Sequence, residues 1–524
     1  MSAMQLFQTR YLNRFIRGVE AVGNRLPHPF ALFSGLAFVV LLLSAVLSVL
    51  DVSVTYTTAG QAGQATAETT VYVKNLLAPA ELRTFIVKFV KIYATFPPLA
   101  LAMIMMLGIG LFEQTGLISA LLRRTILGAP PYMITALLAF IGANSNMASG
   151  AGVIFAPTIG GALFKAAGRN PWLGVATGYA AATGGFTANI LVAGTDVVLS
   201  GITQAAVRSA QMTAPTHPMI NWYFMIAATF VVTLAVTLVT EKHLSRLLEE
   251  GQPLRQDQQA LASHALTDDE KRGLRWAGVA ALAVLALLLV ATVPDGALLR
   301  NSAGKLLPRS PLTSGMVAIL FFTFTAIGLA YGVGARVIHT HREIPMLMEG
   351  GLRGLNAFLV VALPAAMFVY FFDRSNIDTV LAVKGAALIR DLGLGGLPLI
   401  LAFVVTVSAI NLFVSSGSAK WMILAQVFIP IFAASNLSPA MTQLSFRVGD
   451  SVTNGLSPLK ACIPVLIGLL EQYRPKDDTR SVGIGTVISL QVGYSIALFV
   501  GLTLLLVFWY LSGLPLGPGT RATM

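Results

Sequence analysis

The chain has 524 residues, 55% hydrophobic and only 11% charged, with a mean hydropathy of +0.75. A soluble domain carries about a quarter of its residues as charged groups, so this composition excludes a water-soluble globular protein and puts the bulk of the chain in lipid. The net charge of +12 comes from Lys and Arg that form no basic face or aromatic-interleaved groove, which argues against nucleic acid, and the single Cys462 excludes a disulfide framework or a Cys-based metal site.

The first apolar run follows a basic stretch, residues 1–29, without a small-residue cleavage signal after it, and reads as a retained helix rather than a signal peptide. Nine segments read as full crossings, each long enough for the ~30 Å hydrocarbon core. They are 30–50, 85–113, 171–205, 219–241, 274–293, 312–335, 353–373, 440–470 and 483–511. In 85–113, Lys88 and Lys91 precede Phe96-Pro97-Pro98, so its first turns are expected along the interface, with the span proper after the prolines. Two other apolar stretches, 130–168 and 395–435, are broken near their middles by small polar residues, ANSNMASGAG at 143–152 and NLFVSSGSAKW at 411–421. Non-helical backbone at membrane depth is tolerated only where protein or a wet cavity shields it. Both stretches therefore read as re-entrant helical hairpins with their tips at the breaks.

The predicted fold is an all-α membrane protein of about nine transmembrane helices plus two re-entrant hairpins. A first half, 30–241, and a second half, 274–511, are joined by a charged linker, 242–273, and followed by a C-terminal tail, 512–524. With the N-terminus in the cytoplasm, cytoplasmic segments carry 20 of the 35 Lys and Arg, external segments carry 10, and five (Lys88, Lys91, Lys420, Arg447 and Lys460) lie at membrane depth. That bias agrees with the positive-inside rule, and the reverse orientation inverts it. All six histidines fall in or beside connecting segments.

The two halves share a pattern. The tip Ser149-Gly150 is followed by Asn170-Pro171 and then by GGFTANILVAGTD at 184–196, and the tip Ser416-Gly417 by Ser438-Pro439 and then by RVGDSVTNGLSPL at 447–459. Tip glycine and proline are 21 residues apart in one unit and 22 in the other, and each unit ends on an asparagine, Asn189 or Asn454. On this topology the hairpins enter from opposite sides, so the units form an inverted repeat. Secondary transporters are built this way, with paired Gly/Pro-interrupted segments marking a midplane site.

Ionisable groups at membrane depth are candidates for function. Asp450 lies three residues after Arg447, a helical spacing that allows an ion pair; an unwound stretch at Gly449 would instead free carbonyls, and with Asp450 these suit Na⁺. Asp196, at the matching place in the first unit, reads as part of a proton or cation path, with a position at the outer mouth as the alternative. The planar fork of Arg447 suits a substrate carboxylate. Asn144, Ser145, Asn146 and Ser149 at the first tip, and Asn411, Ser415, Ser416 and Ser418 at the second, supply donors and oxygens for substrate or ion, or else cap the broken helices. Trp421 offers an indole for an aromatic substrate ring, or anchors an interface. Lys420 and Lys460 are counter-charges, or reach outward to the interface.

These stretches, with GNRLPHP at 23–29, resemble the p-aminobenzoyl-glutamate transporter (AbgT) family, and the resemblance covers nearly the whole chain. It implies a homodimer of nine-helix subunits in the bacterial inner membrane that moves p-aminobenzoyl-glutamate, with export of sulfonamide antimetabolites in some members, driven by a Na⁺ or H⁺ gradient and without an organic cofactor. It places the important positions at Asp196, Asn411, Ser418, Trp421, Pro439, Arg447, Asp450 and Pro458, the two prolines as hinges, and associates an Asn–Asp pair like Asn411 and Asp450 with Na⁺. A membrane-embedded enzyme and an ion channel are the alternatives. No nucleophile–base–orienter trio is visible in the sequence, so no enzymatic activity is expected, and interrupted, opposed hairpins favour alternating access over a pore.

Overall fold

A computed structural model describes residues 29–524 apart from 59–66, 128–132, 250–265, 307–309, 354–355, 392–394, 475–481 and positions 415, 459 and 461. The N-terminal segment 1–28, the middle of the charged linker and Ser415 lie outside the described residues. Uninterrupted apolar runs form single long helices. Broken runs form pairs of short ones.

Helix α1 (Pro29–Val49) is followed by a β-hairpin within the 51–84 connection, in which β1 (Ser53–Thr58) pairs antiparallel with β2 (Ala67–Tyr72), Ser53 opposite Tyr72. The 85–113 segment is two helices, α2 (Pro79–Ala94) and α3 (Pro97–Gln114). The chain bends at Thr95-Phe96 because Pro97 and Pro98 have no N–H to continue α2 but suit the first turn of α3. Helix α2 buries no residue fully and exposes Lys88 and Lys91, whereas α3 is largely buried.

Helix α4 (Leu117–Leu127) leads to the first hairpin, formed by α5 (Ile134–Asn144), a 3₁₀ turn (Ser145–Ala148) and α6 (Ser149–Ala166). The 171–205 crossing then splits into α7 (Pro171–Gly184), a 3₁₀ turn (Gly185–Thr187), extended residues and α8 (Gly194–Ser209). At 1.5 Å per residue α7 spans only ~21 Å, short of a bilayer core. Helix α9 (Trp222–Val239) completes the first half.

In the second half, α10 (Asp268–Thr292) starts on a capping box between Thr267 and Glu270. It buries only Gly273, Leu274 and Ala277, leaving Val279, Leu282, Leu285 and Leu287 exposed. Then come α11 (Met316–Gly334), α12 (Glu343–Leu352), α13 (Asn356–Arg374) and α14 (Ile377–Asp391). Helix α12 lies against α3 where Gly110 and Gly351 touch: a Cβ on Gly110 would fall 2.4 Å from the Gly351 Cα. The second hairpin is α15 (Leu397–Asn411) and α16 (Gly417–Ala434). It is followed by the second broken crossing, α17 (Pro439–Thr453), a 3₁₀ turn (Asn454–Leu456) and α18 (Ile463–Gln472), and by α19 (Ile484–Ser512).

The two Xaa-Pro signals both start helices. The Asn170 side chain accepts from the Trp172 N–H ahead of α7, and Ser438 accepts from the Met441 N–H ahead of α17, each with proline in the first turn. Among the described residues seven helices are long and apolar enough to cross a membrane, and α5, α15, α18 and most of α6 are shorter apolar helices.

The broken crossings run antiparallel past each other. Thr183 meets Asn454, Thr187 meets Ser451, Asp196 meets Arg447 and Thr203 meets Gln443, so partner numbers fall in one as they rise in the other. The unwound start of each therefore packs against the helical part of the other.

Candidate functional site: two buried ion pairs between the hairpin tips

Four charged side chains converge where the two broken crossings pass each other. The Arg447 guanidinium reaches across from α17 to Asp196, with Nη1 2.7 Å from Oδ1, and both residues are 1% exposed. Its Nη2 donates to the Phe186 carbonyl at 2.6 Å, and the guanidinium lies over the Phe186 ring, 5.3 Å from its centre. Asp196 sits in the first turn of α8, where the helix dipole favours a carboxylate. Its Oδ2 accepts from the Ala193 N–H at 2.7 Å and from Asn189 at 3.2 Å. Two polar atoms here have no partner among the described residues: Arg447 Nε and Asn189 Oδ1.

The second pair ties the hairpin to the crossing. Lys420, in the first turn of α16, pairs with Asp450 Oδ1 and donates to Asn411 Oδ1, and all three residues are buried. Asp450 Oδ2 accepts from Asn454 at 3.2 Å. Asn411 Nδ2 contacts the Asp450 carbonyl, Thr453 Oγ1 and Asn454 Oδ1. Asn454 Nδ2 also reaches the Thr183 carbonyl, which links the pair to the first half.

Trp421 is fully buried, stacked on Phe446 with ring centres 4.8 Å apart, and its Nε1 donates to Thr203 Oγ1, which in turn donates to Gln443. At the first tip, Asn144 accepts from the Ile190 N–H and donates to the Phe140 carbonyl; Asn146 donates to the Ala182 carbonyl; Ser145 donates to the Gly142 carbonyl. The bonds to Ile190 and Ala182 hold the tip against the first broken crossing. The Ser149 side chain lies outside the described residues. At the second tip, Ser416 caps α16 through the Ala419 N–H, and its Oγ is 3.5 Å from that of Ser418. Pro439 opens α17, and Pro458 lies buried in the turn after its 3₁₀ end.

The spacing of Arg447 and Asp450 suggested a pair between them, and the structure corrects this. Both lie on one continuous helix, but Arg447 turns to Asp196 and Asp450 turns to Lys420. Gly449 does not unwind the helix either. It lets α15 approach, since a Cβ there would fall 2.6 Å from the Val404 carbonyl oxygen. The break comes later, at Asn454–Leu456. Lys420 does not reach outward, being 1% exposed at its side chain. Sequence reasoning passed over Thr203, Gln443, Thr187, Ser451 and Phe186. A signal for Gln443 was present: residues 443, 447, 450 and 454 lie at helical spacing and form one polar stripe.

A sequence model of the AbgT putative transporter family matches residues 14–524. The chain belongs to the AbgT family. It is 34% identical over 501 residues to the p-aminobenzoyl-glutamate transport protein of Escherichia coli (strain K12), covering 96% of this chain and 95% of that protein. Two solved structures share the fold. The YdaH transporter of Alcanivorax borkumensis, described as having an unusual topology, matches with a TM-score of 0.84 at 34% identity, over 94% of this chain and all of that one. MtrF of Neisseria gonorrhoeae, described within a class of antimetabolite efflux pumps, matches with a TM-score of 0.88 at 33% identity, over 97% of this chain and all of that one. The protein is thus an all-α, multi-pass membrane transporter of this family.

In this AbgT-family protein the four charges are sealed, each at most 2% exposed. A cavity of about 780 Å³ lies beside Ser438 and Pro439, lined also by Thr213, Pro215 and Arg521. It opens at the start of α17, 11 residues or ~16 Å of helix from Asp450. The Na⁺ implied for Asn411 and Asp450 does not fit this arrangement. Asn411 Oδ1 and Asp450 Oδ1 already face the Lys420 ammonium, and the remaining Asn411 atom is an N–H donor.

Proposed function

We propose that this AbgT-family protein carries p-aminobenzoyl-glutamate and related aromatic carboxylates across the bacterial inner membrane by alternating access, with sulfonamide antimetabolites among the exported compounds. The observation that carries this reading is the pair of buried cross-links, Arg447–Asp196 and Lys420–Asp450, which join both broken crossings and the second hairpin at one central point. Holding two ion pairs out of water is costly unless each charge is matched, so the arrangement is poised to exchange partners. A substrate carboxylate would compete with Asp196 for Arg447, whose Nε offers an unused donor. Sealing of the site favours a carrier over an open pore.

In this reading the halves 30–241 and 274–511 form an inverted repeat with the hairpins entering from opposite faces, supported by the antiparallel run of the broken crossings. Nine crossings, a cytoplasmic N-terminus and a homodimer complete the proposal, with transport coupled to an H⁺ or Na⁺ gradient. Pro439 and Pro458, at the two ends of the second broken crossing, serve as hinges. The test is exchange of radiolabelled p-aminobenzoyl-glutamate in proteoliposomes preloaded with unlabelled substrate. Saturable counterflow that unlabelled sulfonamides inhibit supports the reading. Label entry no faster than in protein-free vesicles contradicts it.

A further inference from the structure

We infer that the cation occupying the Asn411–Asp450 site in this conformation is the protein's own Lys420 ammonium, so that Na⁺ binds there only when Lys420 leaves. Hard-oxygen ligands for Na⁺ would have to come from Asp450 Oδ1 and Asn411 Oδ1, and one ammonium bridges both. The groups beyond them face the wrong way for a metal ion. Asn411 Nδ2 and Asn454 Nδ2 point N–H bonds at the Asp450 carbonyl and Asp450 Oδ2, and those two oxygens are thereby engaged. The Asp450 carboxylate already faces the Lys420 ammonium, with Lys460 also within electrostatic reach of both, in a site where Lys420 is 2% and Asp450 1% exposed. A second cation beside Lys420 would be a buried like-charge pair.

Lys420 sits three residues past Gly417, and a Cβ on Gly417 would lie 3.7 Å from Asp450 Oδ2, so the hairpin tip itself abuts the carboxylate. The ammonium therefore does two things at once: it fills the cation position and clamps α16 to α17. Any ion that takes its place must lift the tip from the crossing. Ion entry and tip release become one event. This inference rests on the proposed reading that the Asp450 region is the transport site, but it concerns binding, which can be measured without flux.

The test is equilibrium binding of ²²Na⁺ to the purified full-length protein at constant ionic strength set with choline, without transport substrate. Wild type is expected to bind no Na⁺ that Asp450→Asn abolishes. Lys420→Met, which keeps an unbranched stem and removes the ammonium, is expected to gain Na⁺ binding at least about tenfold above the wild-type background, lost again when Asp450→Asn is added to it. Wild-type Na⁺ binding that Asp450→Asn abolishes and Lys420→Met leaves unchanged overturns the inference, as does folded Lys420→Met that binds no Na⁺. If Lys420→Met does not fold, the wild-type measurement decides alone. Failure of counterflow in liposomes would count against the transport reading and leave the binding result standing.

Discussion

The Arg447–Asp196 pair makes a quantitative test of how the two halves are joined. Replacing Arg447 by Gln leaves Asp196 buried with Oδ1 facing no positive charge, and removing one partner of a buried pair costs about 3–5 kcal/mol. Asp196 retains its bonds from the Ala193 N–H and Asn189, which places the cost near the lower end, about 3 kcal/mol. Asp196→Asn leaves Arg447 with the Phe186 carbonyl and ring, for a similar loss. If the two side chains act mainly on each other, the double variant loses about 3 kcal/mol rather than twice that, a coupling at the upper end of what neighbouring groups show. Unfolding by SDS in mixed micelles, followed by tryptophan fluorescence for wild type, both single variants and the double, gives the cycle. Single-variant losses that add to within about 0.5 kcal/mol would show that the pair does not join the halves.

Other consequences follow from packing and protonation. Trp421→Ala removes a fully buried indole and is expected to cost about 3–5 kcal/mol, whereas Trp421→Phe keeps a ring against Phe446 and gives up the bond to Thr203, about 1 kcal/mol; thermal unfolding separates the two. Because the Ala variant perturbs the whole core, Trp421→Phe is the better probe of whether the indole contributes to aromatic-substrate affinity, read by calorimetry. Gly110→Ala forces α3 and α12 apart and is expected to cost about 1–3 kcal/mol, visible as a lowered thermal midpoint. His217, in the connection before α9, is held neutral: burial pushes its pKa below 6.5, its Nε2 faces the Pro518 carbonyl and its Nδ1 accepts from the Met219 N–H. The folded state binds fewer protons than the unfolded chain, so stability rises with pH and is lost as pH falls below about 6.5. The thermal midpoint is expected to drop between pH 7.5 and 5.5 in wild type and to change less in His217→Gln.

Much of the fold was legible because lipid imposes a simple rule. Apolar runs form helices, and polar interruptions in them must be protected. Hence the breaks after 144 and after 411 and the prolines at 97, 171 and 439 fall where the pattern put them. Helices α12 and α14 and the β-hairpin were not read, because none is long or apolar enough to stand out. Helix α12 depends instead on contact between Gly351 and Gly110, far apart in sequence. The structure brings Asp196, Arg447, Asp450 and Asn411, all singled out by residue type, into one buried cluster, but with other pairings. Spacing along one helix allowed a pair between Arg447 and Asp450. Which charge meets which depends on how two crossings pass each other and how the hairpin tip carrying Lys420 lies against them, which local sequence does not encode.

The most direct measurement is gradient-driven flux of p-aminobenzoyl-glutamate in proteoliposomes containing Asp450→Asn, with H⁺ and Na⁺ gradients imposed separately and substrate binding measured alongside. Asp450 holds the second hairpin to the broken crossing, so the variant is predicted to bind substrate and to lose flux driven by the coupling gradient. Wild-type flux in folded Asp450→Asn would remove this residue, and the site built around it, from the transport mechanism.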